Sequence, residues 1–140
     1  MRSLRSSSLL LVLAVTCCTR PPADQLKTEL QAVASWAATA RMTGEAWAQG
    51  SVPRAYAAHT LRTAREALQE ETGTIGEPAQ GGGELQASLA ARTEKVAQVI
   101  EGMRATVERD DKQALTQLLE QLKAEEREMK ALAASGGVQP

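Results

Sequence analysis

Residues 111–134, DKQALTQLLEQLKAEEREMKALAA, decide the fold. Leu115, Leu118, Leu122, Glu125, Met129 and Leu132 recur at alternating steps of three and four, and Leu119 widens the stripe. A half-buried strand would alternate every second residue; this spacing keeps one side of a helix apolar instead. Asp110 or Asp111 supplies an N-cap, and Ser135-Gly136-Gly137 closes the helix. A lone amphipathic helix cannot bury its stripe, so the rest of the chain must supply partners.

Working backwards, a helix is predicted from about residue 84 to 109, with Leu85, Leu89, Val96, Ile100, Met103 and Val107 inward. Residues 72–83, TGTIGEPAQGGG, hold five glycines and a proline and read as a flexible link. A second helix is expected over 52–71, with Ala57, Leu61, Ala64 and Leu68 on one face. The first runs from an Asp24 cap to about Gln49, with Leu26, Leu30, Val33, Ala37, Ala40, Gly44 and Trp47 inward. Between these two, Gly50 supplies a stop, Ser51 a cap, and Pro53 a first-turn residue whose missing N–H costs nothing. Connections this short permit only antiparallel neighbours. The expectation is an all-α domain over 24–134: a four-helix antiparallel bundle of two hairpins (24–71 and 84–134) joined by the 72–83 link, with a tail at 135–140. A shift of 55 residues superposes Glu29-Leu30-Gln31-Ala32 on Glu84-Leu85-Gln86-Ala87, which suggests that the hairpins are duplicates.

Composition agrees with helix. Hydrophobic residues make up 43% of the 140, while aromatics are Trp36, Trp47 and Tyr56 alone, and isoleucine occurs only at 75 and 100. A β-sandwich would want more aromatic and β-branched residues, whereas alanine is the best helix former. The formal charge is −1. It divides as +2 over residues 1–17, +2 over 18–69 and −5 over 70–140. Nucleic-acid binding calls for a basic surface and stacking rings, and neither is present in quantity, so no nucleic-acid partner is expected.

The first seventeen residues stand apart. MRSLRSSS is polar, with Arg2 and Arg5 and no acid; LLLVLAV at 9–15 is an unbroken apolar run. Seven helical residues span roughly 10 Å against a hydrocarbon core of about 30 Å, too short to cross a bilayer. A basic segment before a short apolar one is the layout of an export signal, here 1–17. Thr16-Cys17-Cys18-Thr19-Arg20-Pro21-Pro22 follows, with 18–23 as a tether.

An apolar run ending at a cysteine resembles the lipobox of bacterial lipoproteins. In that family the thiol is diacylglycerylated, the signal is removed just before it, and the new amino terminus is usually acylated. The resemblance covers about the first 20 residues. The pattern prefers Leu three residues before the cysteine and Gly, Ala or Ser immediately before it. Cys18 is preceded by Val15, Thr16 and Cys17; Cys17 by Ala14, Val15 and Thr16. Cys18 fits better because Cys17 is smaller than Thr16, and Cys17 stays the alternative. The residue after either is Cys18 or Thr19 and not the Asp that marks inner-membrane retention in enterobacterial lipoproteins. The resemblance therefore implies the outer membrane, facing the periplasm. With no other cysteine, no disulfide within the helical domain is expected.

Candidate sites are few. Trp36 and Trp47 are three helical turns apart on one face, and Tyr56 lies just past the turn. They can plug an alanine-rich seam or line a groove for an apolar ligand or unfolded client. Rings exposed by more than a third would favour the groove. His59 is the only histidine. It lacks the Glu-x-x-His of di-iron bundles, because Tyr56 stands three residues before it, and HExxH and CxxCH are absent. Neither a metal nor a cofactor is expected. Arg54, Arg62 and Arg65 share one side of the second helix and can meet anionic headgroups, the acidic second half, or solvent; Glu66 is a local partner for Arg62. Ser residues lack GxSxG context, and Gly81-Gly82-Gly83 is no phosphate cradle. The functional expectation is an envelope-anchored helical lipoprotein, a non-enzymatic scaffold or protein-binding module with a possible protein partner or self-association. The alternative is a periplasmic binding module using Trp36, Trp47 and Tyr56, with His59 and Arg62 as further candidate contacts.

Overall fold

The computed structural model describes residues 22–76 and 83–135. The signal segment with Cys17 and Cys18, most of the tether, residues 77–82 of the link and the tail beyond Ser135 lie outside the described residues. Four helices follow one another: α1 (Pro22–Ala48), α2 (Arg54–Gly76), α3 (Gly83–Glu108) and α4 (Lys112–Ser135). They form the expected all-α, four-helix antiparallel bundle of two hairpins. α2 packs on α3, α3 on α4, and α1 on both α2 and α4, with α1 also reaching α3 across the middle.

Both hairpin turns use the same helix stop. In the first, Gly50 N donates to Trp47 O and Ser51 N to Ala46 O, with Gly50 at φ +76°. In the second, Asp110 N donates to Val107 O and Asp111 N to Thr106 O, with Asp110 at φ +59°. This paired arrangement satisfies carbonyls that a helix end otherwise leaves open, and it needs a left-handed residue where glycine is cheapest. Asp111 then caps α4, its Oδ1 accepting from Ala114 N at 2.9 Å. Asp110→Gly should raise the unfolding free energy by about 0.5–1 kcal/mol, because the left-handed backbone is already built and glycine adopts it without strain. Urea titration of the two proteins checks this; a loss of stability would contradict it.

The stripes read from sequence face inward. Val33, Ala37, Ala40 and Trp47 of α1 meet Ala57, Leu61, Ala64 and Leu68 of α2 in one core with Leu89, Val96, Ile100, Met103, Val107, Leu115, Leu119, Leu122 and Met129. Small residues set the spacing. A Cβ at Gly44 would lie 2.6 Å from Met103 Cε and 3.2 Å from Leu119 Cδ2. The missing side chain is thus what lets α1 approach α3 across the bundle.

Four details differ from the sequence reading. α2 begins at Arg54, so Pro53 precedes the helix and its carbonyl accepts from Ala57 N. α2 also runs on to Gly76, so the link expected over 72–83 is shorter at its start. Ile75 is fully buried, and that burial holds the last turn helical despite Gly73. On α4, Leu119 is in the core and Leu118 only partly buried, against Gly102 of α3. Finally, the first-helix core positions 33, 37, 40 and 47 match 89, 93, 96 and 103 at an offset of 56, whereas 57, 61 and 64 match 115, 119 and 122 at 58. The 55-residue identities are therefore out of step with the equivalent core positions.

The buried polar side chains of Thr93, Thr106 and Glu29 are satisfied within their own helices. Thr93 Oγ1 donates to Leu89 O at 2.8 Å and Thr106 Oγ1 to Gly102 O at 2.7 Å. Glu29, 7% exposed, accepts from Gln25 Nε2 at 3.0 Å. Among the described residues no buried side-chain nitrogen or oxygen lacks a partner.

Candidate interaction surface

The three aromatic rings have separate fates. Trp47 is 4% exposed and belongs to the core; Trp36 is partly buried and packs against it. Tyr56 alone of the three is exposed, at 56%. With Met42 of α1 at 63%, it is one of two exposed large hydrophobic residues among those described. The two tryptophans therefore serve their own bundle, and Tyr56 projects from the first turn of α2.

Trp47 has a polar neighbour that the sequence did not reveal. Lys112, which opens α4, places Nζ 5.6 Å from the Trp47 ring centroid and donates to Ala48 O at 3.1 Å. α1 has no basic residue in its own last turn. A cation from the other hairpin thus meets the negative end of the α1 dipole and lies over an aromatic face. The pair ties the two turns together at one end of the bundle.

His59 is exposed on α2 and makes no ion pair among the described residues; its backbone carbonyl accepts from Thr63 Oγ1 at 3.2 Å. No group of three or more His, Cys, Asp or Glu suited to a metal ion occurs among the described residues.

The arginines of α2 reach the acidic second half. Arg65 Nε lies 3.5 Å from Glu101 Oε2 and Arg62 Nη2 4.0 Å from Glu108 Oε1, both across the α2–α3 seam. Arg104 of α3 binds the same two carboxylates, with Nη2 2.7 Å from Glu101 Oε1 and Nη1 on Glu108. The hydrogen bond from Arg104 is the main cause that holds the Glu101 carboxyl below its usual range; partial burial opposes it, and the charges of Arg104 and Arg65 add to it. Such a group contributes stability that is present above the ordinary carboxylate range and is lost as pH falls through its lowered value, so acid loosens this seam.

Two further ladders fix the α1–α4 and α3–α4 seams. Arg41 Nε is 3.3 Å from Glu126 Oε2, and Lys123 Nζ is 3.7 Å from Glu45 Oε1, both between α1 and α4. Arg92 bridges α3 to α4, with Nη1 2.9 Å from Glu125 Oε2 and Nη2 3.1 Å from Glu128 Oε2. Burial lowers the Arg41 pKa, but the neighbouring Glu126 and Glu45 outweigh it and the net direction is upward. Exposed pairs contribute only about 0.2–1 kcal/mol each. Their larger effect is on choice of neighbour, because the contacts between helices (Arg41 with Glu126, Arg92 with Glu125, Arg65 with Glu101) form only in this arrangement.

Beside Arg92, a shallow open groove runs between α3 and α4 past Ser88, Lys95, Glu128 and Leu132. Side chains of both charge signs line it. Comparison with protein-family models, with curated proteins and with solved structures finds no match to the chain. Among the described residues, no helix is long and apolar enough to cross a membrane.

Proposed function

We propose that this protein is an exported lipoprotein, held at the bacterial envelope by acyl chains on Cys18 or Cys17, whose helical bundle acts as a non-enzymatic scaffold or protein-binding module. The observation that carries the reading is the order of the leader: two arginines without an acid, seven apolar residues, then a cysteine pair and two prolines. A signal of this kind delivers a thiol to the membrane surface, and two or more acyl chains hold firmly where one holds only weakly.

The outer membrane, facing the periplasm, is the proposed site, because neither cysteine is followed by Asp. The bundle supports a binding role in a specific way. Its leucine stripe on α4 is turned into its own core, so contacts with another protein fall to surface groups such as Tyr56, His59 and Arg62. Trp47 is buried and Trp36 packs against the core, so of the three rings only Tyr56 has the exposure a groove for an apolar ligand would need, and a protein contact is the reading favoured.

The reading predicts how the protein leaves a membrane. Washing envelopes with high salt or alkaline carbonate should leave it in the pellet, and detergent should release it. Release by salt alone would mean that it is held by charge, and the lipoprotein reading would fail.

A further inference from the structure

We infer that a second copy of this chain docks on the outer face of α1 and the edge of α2 beside it, so that two copies pair through a surface free of charge. The inference rests on the protein-binding reading and deepens it by naming the surface and the partner; it does not use the acyl anchor.

Sequence and packing together keep charge off this face. Leu30 to Ala40 contains no charged residue. Arg41 and Glu45 follow, but they pair with each other and with Glu126 and Lys123 of α4. On α2, Arg54, Arg62 and Arg65 share the side turned to α3, where Arg62 meets Glu108 and Arg65 meets Glu101. The acids Glu66 and Glu70 bound the band further along α2. Among the described residues, ion pairs join α2 to α3, α3 to α4 and α1 to α4, and none joins α1 to α2. The band that is left carries Met42 and Tyr56, the two exposed large hydrophobic residues among those described.

Its polar groups also lose little on leaving water. Thr39 Oγ1 donates to Ser35 O at 2.9 Å and Thr63 Oγ1 to His59 O at 3.2 Å, so these hydroxyl protons are already placed. Alanine at 34 and 38 lets another helix come close. The other faces present exposed charges, such as Lys95 on α3 and Arg127 and Lys130 on α4, which would have to shed water in a contact.

These properties fit a second copy. A two-fold axis sets a surface against itself, so a face with charge of one sign repels its own copy and an uncharged face does not. The formal charge of the chain is only −1, so whole copies repel little at a distance. Depletion of charge with tyrosine and methionine enriched is the composition of interface cores, and homodimer interfaces are the more apolar kind. Residues 30–49 form a band about 30 Å long, and two helix widths make it about 20 Å across. The resulting area, about 600 Å², approaches the roughly 800 Å² that each partner gives to a specific interface, which suits a reversible pair.

The test expresses the full chain in bacterial cells under two different carboxyl-terminal tags, with a photoreactive benzophenone amino acid in place of Thr39 or Tyr56. Gln98 of α3 and Gln117 of α4, both exposed, are the control positions. Irradiation should give a product that carries both tags from 39 and 56, and at least tenfold less of it from 98 and 117. Ser35→Glu, which sets a charge at an exposed position of the band, should cut that product at least tenfold, and Ser35→Ala should leave it unchanged. Equal yields from all four positions, or the same response to both substitutions, would overturn the pairing. Products from 39 and 56 that join parts of one chain, or join it to a different protein, would overturn it too, the latter leaving the protein-binding reading in place. Silence at all four positions would remove both.

Discussion

Leu122→Ala is expected to lower the unfolding free energy by about 2–5 kcal/mol, the range for deleting a fully buried leucine side chain. Leu122 is wholly inaccessible in the middle of α4, within a core that includes Leu115, Leu119 and Met129 of the same helix. Its truncation removes apolar contact and leaves space that neighbouring helices, fixed by their turns, fill only in part. Total stability of a domain this size is about 5–15 kcal/mol, so the loss is a large share of it. Leu118→Ala is the informative control. Leu118 is only partly buried, against Gly102 of α3, so its truncation should cost clearly less. Urea titration followed by far-ultraviolet circular dichroism reads both. Equal losses at the two positions would mean that α4 is rotated from the orientation described.

The second large effect concerns address. Replacing both Cys17 and Cys18 by serine should move the protein from the membrane to the soluble fraction, with the bundle itself unaltered. The reason is the steepness of acyl partitioning: each buried methylene contributes about 0.8 kcal/mol, so removing every chain removes the whole attachment. Among the described residues no helix is apolar and long enough to span a bilayer. Single replacements separate the two thiols. If Cys18 is acylated, Cys18→Ser alone should release the protein and Cys17→Ser should not. Unchanged fractionation of the double variant would refute acylation as the means of attachment.

Helix number, order and inward faces were legible because the apolar periodicity is long and the stops are local. Gly50 and the Asp110-Asp111 pair mark turns through chemistry that a reader can name in advance. Ile75 was hidden for the opposite reason: it sits between Gly73 and Gly76, and only burial against the rest of the bundle keeps that turn helical. Thr93 and Thr106 escaped notice because they are polar in type, yet each returns its hydroxyl to the preceding turn and so enters the core without an unmet donor.

The surface was harder to read than the core. Arg62 has Glu66 four residues on, which suggests a pair within the helix, but the structure directs it across the seam to Glu108. Lys112 gave no local sign of its role, since the carbonyl and ring it meets belong to residues 48 and 47. Pairings of this kind depend on which helices are neighbours, and that is settled by the whole fold. The aromatic trio shows the same limit: spacing placed Trp36 and Trp47 on one face, but only packing separates the buried ring of Trp47 from the exposed one of Tyr56.

The most direct measurement is the intact mass of protein extracted with detergent from its native membrane. The account predicts a chain that begins at Cys18, or at Cys17, and carries the added mass of a diacylglyceryl group with or without a third acyl chain. An unmodified chain that still includes Met1 would contradict it.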